Sequence, residues 1–359
     1  MNIAFEAHAF SGQSVHAYPQ VVAYMLAVKR ACAHANYALS LITFENYQAI
    51  DLQCQSLMVP LCDIYQGGGG IAINSAINDA IGIENVNLGQ STTDVCTSAL
   101  NCALVKATQM LNQHQEKLVE ALLIKAREFE SYIVKGKTCL RDASDLSYAT
   151  RLNAYASSIS AIKRPLLNKI NLGSGPMGLG NDTSHQQAFG ELALARLVEL
   201  TGLALDPVDK PRGVEAGERG LAAGERGLAA GYAYVALRQD LFVLTQALEL
   251  DLHVLLRLAK DLRLSASGPV HGFNEITLPA LIPGSSFYKG KINPTMDETM
   301  IQLCLLSLGK LQTVKMAFEQ AEMDLMVYYA MVSFCLLDVL GYLNTFIPKY
   351  IQYHVMAIT

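Results

Sequence analysis

Charge is scarce in this chain of 359 residues: 16% of its residues are charged and 51% are hydrophobic, where ~25% charged is typical. A chain so apolar is not disordered. Its length predicts a sizeable core spread over about two to three domains, and the surplus of apolar surface points to self-association. No basic excess is present. The 27 Lys and Arg face 32 Asp and Glu, a net charge of −5, which argues against a general nucleic-acid binder. The eight cysteines form no CxxC pair and read as reduced thiols of a cytoplasmic protein, not as a disulfide frame or a zinc site. The eight histidines form no HxxxH pair, so no metal site is expected.

Other signals are missing too. The N-terminus MNIAFEAHAF carries Glu6 and has no basic start before an apolar core, so it does not read as a signal peptide. The apolar stretch Leu325–Leu337, bounded by Asp324 and Asp338, is shorter than the ~20 residues of a membrane span. It reads as a buried helix, and no membrane partner is expected. Gly67–Gly70 precedes no Gly-Lys-Ser/Thr, and no GxGxxG follows a strand pattern, which argues against a nucleotide phosphate loop. Cys139 has no histidine nearby and reads as an inert thiol.

What is present is helical periodicity. Ser98 to Lys135 contains no Gly or Pro. Leu100, Leu104, Ala107, Leu111, Leu118, Leu122, Phe129 and Ile133 recur there at spacings of three, four or seven. That is one apolar stripe on a long amphipathic helix. Gly231–Leu264 reads as a second long helix. Glu298–Ile347 reads as a third, interrupted only by Gly309 and Gly341. A shorter helix is predicted from Pro19 to about Leu41, because Pro suits a first helical turn. Strand-like alternation is scarce, and helices this long bury their stripes best in a bundle. Flexible loops are expected at Gln66–Gly70, Gly173–Gly180 and Val270–Pro294. Gly217–Ala230 is a double copy of GERGLAA, read as a connector, either an extra helical turn or a disordered insert.

The segment richest in chemistry is Gly284-Ser285-Ser286-Phe287-Tyr288-Lys289-Gly290-Lys291-Ile292-Asn293-Pro294. Two hydroxyls, two lysines and an amide in one glycine-bounded loop suit an anionic substrate. The segment resembles the signature loop GSSxMPxKxNP of the fumarase/aspartase superfamily. Other blocks resemble that superfamily in the same order. PQVVAYMLAVKRACAHANYALSLI is similar to the helix with the VKKAAAxAN core. DIYQGGGGIAINSAIND resembles QGGAGTSxNMNxNE, and NLGQSTTD resembles NxGQSTND. GKTCLRDA resembles GRTxLQDA, and NLGSGPMGLGND resembles the GGTAIGTGLN block. LRLSASGPVHGFNEITLPALIPGSS is similar to the aspartase run into the signature loop. The blocks span about residues 15 to 350, and GQST with the wording around Glu275–Pro279 leans towards the aspartase branch.

The resemblance implies an all-α protein, a long-helix bundle of the fumarase/aspartase type, with central helices assembling as a tetrameric core of about 20 helices. It implies a homotetramer acting on a small dicarboxylate, with loops from three subunits at each site and no metal or organic cofactor. The reaction abstracts a proton beside a carboxylate and eliminates ammonia or water to give fumarate. By the same resemblance Ser285 matches the general base, and a serine base must be held as an oxyanion by surrounding donors. Lys291 and Asn293 match the donors to the substrate carboxylate, with Ser286 beside the base. They would stabilise the aci-carboxylate formed on proton loss. Ser91 and Thr92 match hydroxyls that grip the other end of the substrate, Thr138 a further substrate threonine, and Asn74 the asparagine of the glycine-rich block. Glu298 matches a glutamate behind the site that partners a histidine in fumarases, and the loop would close as a lid.

Departures are specific. Cys139 stands where fumarases and many aspartases carry histidine and some aspartases carry glutamine, so its loss is not fatal to aspartase chemistry but speaks against fumarase. Thr93 replaces the Asn of GQSTND, Ile71 the Thr of GTS, and Arg141 the Gln of LQDA. Tyr288-Lys289 replaces Met-Pro, which frees the loop backbone. The division expected along the chain is an abbreviated N-terminal helical domain at 1–88, a central bundle at 89–347 and a tail at 348–359, with the family's C-terminal domain missing. Two alternatives accompany aspartate ammonia-lyase activity: a catalytically inactive tetrameric scaffold or binding protein, and a fumarase or other succinyl-compound lyase.

Overall fold

The computed structural model describes residues 11–58, 62–177, 184–208, 223–282 and 284–359. Ten α-helices lie among the described residues: α1 (Pro19–Ala38), α2 (Phe44–Ser56), α3 (Ile71–Ile81), α4 (Thr92–Glu128), α5 (Tyr148–Ala161), α6 (Ser184–Thr201), α7 (Ala223–Ala236), α8 (Gln239–Ser265), α9 (Thr295–Glu319) and α10 (Tyr329–Tyr353). Strands among the described residues are confined to an antiparallel hairpin, β1 (Ile133–Thr138) with β2 (Arg141–Ser147), and a short parallel pair, β3 (Lys169–Ile170) with β4 (Asp206–Pro207). The architecture is all-α and bundled, as the periodicity predicts.

Local chemistry starts the helices. Pro19 opens α1, where its missing N–H is not needed. The Thr43 hydroxyl accepts from the Asn46 N–H at the start of α2, and Ser147 does the same for Ala149 at the start of α5. Along α8, Leu241, Leu244, Leu248, Leu252, Leu255, Leu258 and Leu262 are all buried, one stripe at helical spacing.

The chain forms two compact units. The first comprises residues 1–106, 165–243 and 313–337, and the second 107–164, 244–312 and 338–359. In the first, α1 packs along α6 and α2, burying Val21, Met25, Val28, Ile50, Phe189 and Leu197. In the second, Leu111, Leu118 and Leu122 of α4, Leu252 and Leu255 of α8, and Leu343 and Ile347 of α10 are buried. The predicted buried helix at Leu325–Leu337 begins at Tyr329, and Val332, Phe334 and Leu336 in it are fully buried. By length and composition Tyr329–Ala357 passes for a membrane span, but 56% of its most apolar window is buried within the protein.

The helix limits differ from the sequence reading in three places. The first long helix runs Thr92–Glu128, not Ser98–Lys135. Its end is closed by the Ser147 hydroxyl, which hydrogen-bonds the carbonyls of Phe129 and Glu130, so Ile133 falls in β1 and is exposed. Gly231–Leu264 is two helices. Arg238 takes a left-handed φ of 44°, and its buried guanidinium bonds Asn101 Oδ1 at 3.0 Å and the Asp240 carboxylate. The third segment breaks at 320–328, not at Gly309 or Gly341, which sit inside α9 and α10. That turn is pinned by Met326 N–H to Val235 O (3.2 Å) and by Gly69 N–H to Val327 O (2.7 Å). Helix α10 also runs on through Pro348 to Tyr353. All of the first GERGLAA copy but its last residue, Ala223, lies outside the described residues, and the backbone of the second lies within α7.

Candidate active site

The residues singled out by sequence fall into two groups. Asn74, Ser91 and Thr92 belong to the first unit; Thr138, Cys139, Ser285, Ser286, Lys291, Asn293 and Glu298 belong to the second.

In the first unit the tetraglycine is a tight turn, not a flexible loop. Besides the Gly69 bond to Val327, the Tyr329 hydroxyl donates to the Gly69 carbonyl and the Cys96 thiol to the Gly70 carbonyl. Gly70 has a φ of 73°, and a Cβ there would sit 2.8 Å from Cys96 Sγ, so only glycine fits. The turn aims α3, and Asn74 on α3 donates from Nδ2 to Thr92 Oγ1 at 3.2 Å. Asn74 is buried, and its Oδ1 has no partner among the described residues. The Ser91 hydroxyl accepts the Asp94 N–H at 3.0 Å, so it caps α4. Asp94, which the motif reading passed over, is buried with its Oδ2 accepting the Gly175 N–H at 3.1 Å. Desolvation pushes its carboxyl up to about 7 against the pull of bonds from Gly175, Ser91 and Gly173. The Ser-x-x-Asp spacing of a capping box was the available signal for it. Thr93, in place of the family's Asn, is buried.

In the second unit the signature loop is organised around Ser285. Its Oγ accepts the backbone N–H of Phe287 and of Tyr288, each at 3.1 Å. Asn293 Nδ2 donates to the Gly284 carbonyl at 3.0 Å, and Gly284 N–H donates to the Lys291 carbonyl at 3.0 Å, which closes the neck of the loop. A Cβ on Gly284 would lie 2.4 Å from that carbonyl oxygen. Ser286, Lys289 and Lys291 are exposed. Thr138 and Cys139 lie at the tip of the β1–β2 hairpin, whose turn residues Cys139 and Leu140 have φ of 51° and 58°. The hairpin leans on the approach to the signature loop: Lys137 Nζ lies 5.3 Å from the Phe273 ring centroid and reaches Glu275, which also pairs with Arg151.

Glu298 lies in the first turn of α9 and its N–H donates to the Pro294 carbonyl at 3.0 Å. The carboxylate that meets a histidine is its neighbour. Buried Asp297 Oδ1 lies 2.8 Å from His354 Nε2 and accepts the Tyr350 hydroxyl at 2.6 Å. Burial and the facing carboxylate push the Tyr350 hydroxyl well above its ordinary range. Tyr350 lies on α10 and His354 just past its end, so the contact with Asp297 is tertiary and left no mark in the sequence. All eight cysteines are free. Cys32, Cys54, Cys96, Cys102 and Cys304 are pushed up to about 12 by burial, which suits inert thiols. Among the described residues, no three His, Cys, Asp or Glu side chains gather to hold a metal ion.

The profile of a family described as lyase matches residues 5–215 and 227–309. The aspartate ammonia-lyase of Escherichia coli (strain K12) is 30% identical over 90% of this chain and 70% of its own length. That of Bacillus subtilis (strain 168) is 27% identical over 95% and 73%. Among solved structures, a class II fumarase from Schistosoma mansoni superposes with a TM-score of 0.81 at 26% identity, covering 95% of this chain and 76% of that one. A fumarate lyase:delta crystallin from Brucella melitensis shares the fold, with a TM-score of 0.80 at 24% identity over 99% and 85%. With matches over most of its length and its helices in the same arrangement, the chain belongs to the fumarase/aspartase superfamily and is a lyase of that family.

Proposed function

We propose that this lyase eliminates ammonia from L-aspartate to give fumarate. The observation that carries the reading is the pair of backbone N–H groups aimed at Ser285 Oγ. Donors so placed stabilise the alkoxide more than the alcohol, which is what a serine base requires. In the proposed reaction the Ser285 alkoxide takes a proton from the carbon beside one carboxylate. The electron pair left behind spreads into that carboxylate as an aci-carboxylate held by Lys291 and the second N–H of Asn293. It then returns to form the double bond of fumarate as the carbon–nitrogen bond breaks and ammonia leaves. Ser91, Thr92 and Thr138, supplied by different copies of the tetramer, grip the rest of the substrate. The unpartnered Asn74 Oδ1 beside Thr92 suits an N–H donor such as the substrate ammonium. The proposed assembly is a cytoplasmic homotetramer.

One observation favours the inactive scaffold. Thr93 is buried and brings no amide to the site. The deciding measurement is fumarate formation in the ultraviolet, with L-aspartate, L-malate and argininosuccinate offered separately. Fumarate from aspartate alone supports the proposal. Fumarate from either of the others moves the substrate, and none from a folded protein leaves the scaffold.

A further inference from the structure

Lys29 is a fully buried lysine in the middle of α1. Its Nζ donates to Asn87 Oδ1 at 2.7 Å and to Gln90 Oε1 at 3.0 Å. No carboxylate lies within ion-pair distance of it among the described residues. The titratable groups that feel its charge are Cys32 on α1, Cys54 on α2 and Cys96 on α4. Burial keeps those thiols protonated, so none of them neutralises it. An uncompensated buried cation is costly. The cost is out of proportion to the task of holding two amides, which a neutral side chain could do.

The loop it holds leads straight into Ser91 and Thr92. Residues 87–90 form a turn closed by the Gln90 N–H on the Asn87 carbonyl (3.2 Å). Asn78 Nδ2 reaches Asn87 Oδ1 (3.2 Å), Gln90 Nε2 reaches the Val86 carbonyl (2.9 Å), and Asn36 Nδ2 holds the Leu88 carbonyl (3.0 Å). The positive end of the α4 dipole emerges at the same place.

We propose that Lys29 is a positioning residue for the gripping end of the substrate site: it fixes the Asn87–Gln90 turn that places Ser91 and Thr92, and its unneutralised charge awaits the carboxylate bound there. The proposal rests on reading Ser91 and Thr92 as substrate hydroxyls. It predicts that Lys29→Met, close in shape but without charge or donors, raises KM for aspartate about tenfold or more, while kcat changes less than about threefold. Hydrogen exchange at the amides of 86–92 should speed up about tenfold, with α8 unchanged. Gln90→Met, which removes one acceptor from outside the core, should loosen the same amides and raise KM less; it serves where Lys29→Met does not fold. An unchanged KM, or unchanged exchange at 86–92, overturns the proposal. If wild-type protein forms no fumarate, the aspartate reading has failed, and the exchange arm alone decides the role of Lys29.

Discussion

A serine hydroxyl near neutral pH gives up its proton too rarely to act as a base unless its surroundings favour the anion. At Ser285 those surroundings are the loop's own backbone. Ser285→Ala should therefore lower fumarate formation by about a thousandfold or more. It should shift the melting temperature by no more than about 2 °C, since the hydroxyl bonds only within an exposed loop. Undiminished turnover would remove Ser285 from the mechanism. Asp94 makes a different kind of prediction. Its folded carboxyl is raised from 3.8 to about 7, so the folded protein holds this proton more tightly than the unfolded chain. The stabilising contribution is complete below about 4 and is lost as pH rises towards 7, at up to ~1.4 kcal/mol per pH unit. Asp94→Asn removes that loss. In urea unfolding, the variant's stability relative to wild type should rise between pH 4 and 7 and then level off. A difference that stays flat would mean that Asp94 is ionised throughout in the folded state.

Among the elements, the β1–β2 hairpin is built against local preference. Two consecutive positive φ values at Cys139 and Leu140 make a turn that favours Asn-Gly, and each non-glycine residue in that region costs about 1 kcal/mol or more. Strain of this kind persists where the rest of the structure imposes it, and often at functional sites. The neighbouring Thr138 is a candidate substrate residue, and the hairpin is tied to Glu275 through Lys137. Replacing Cys139 by Asn and Leu140 by Gly should stabilise the second unit by about 1–2 kcal/mol. A higher urea midpoint is the readout, and an unchanged midpoint would show that the turn stores no strain. The helices themselves were legible because their stripes repeat at helical spacing; the Leu stripe of α8 is an example. Their breaks were not. Arg238 is an ordinary helix former, and what stops the helix there is a buried contact with Asn101, far away in sequence.

Across the whole molecule, the low charge content leaves large apolar side chains in water. Leu250 on α8 and Leu305 and Leu306 on α9 are at least half exposed, at 52%, 57% and 50%. Solvent-facing leucines of this kind on long helices mark a surface for self-association. In light scattering the protein should run as a tetramer, and Leu305→Glu with Leu306→Glu should lower its mass, because charges buried at an interface without partners are costly. A monomeric wild-type protein would sink the tetramer and the sharing of sites between copies.

The linear sequence determined the helical class, the family and the order of the candidate site residues. Each depends on local periodicity or on short contiguous motifs such as GQST and GSS. Only the tertiary structure decided what those residues touch. It turned the tetraglycine from a flexible loop into a turn held by Val327 and Tyr329, gave Asn293 the neck of its own loop, and set His354 Nε2 2.8 Å from Asp297. It also buried Asp94 and Lys29. The physical reason is common to all of these. Desolvation and long-range hydrogen bonds depend on which distant segments pack together, and neither spacing nor composition records that.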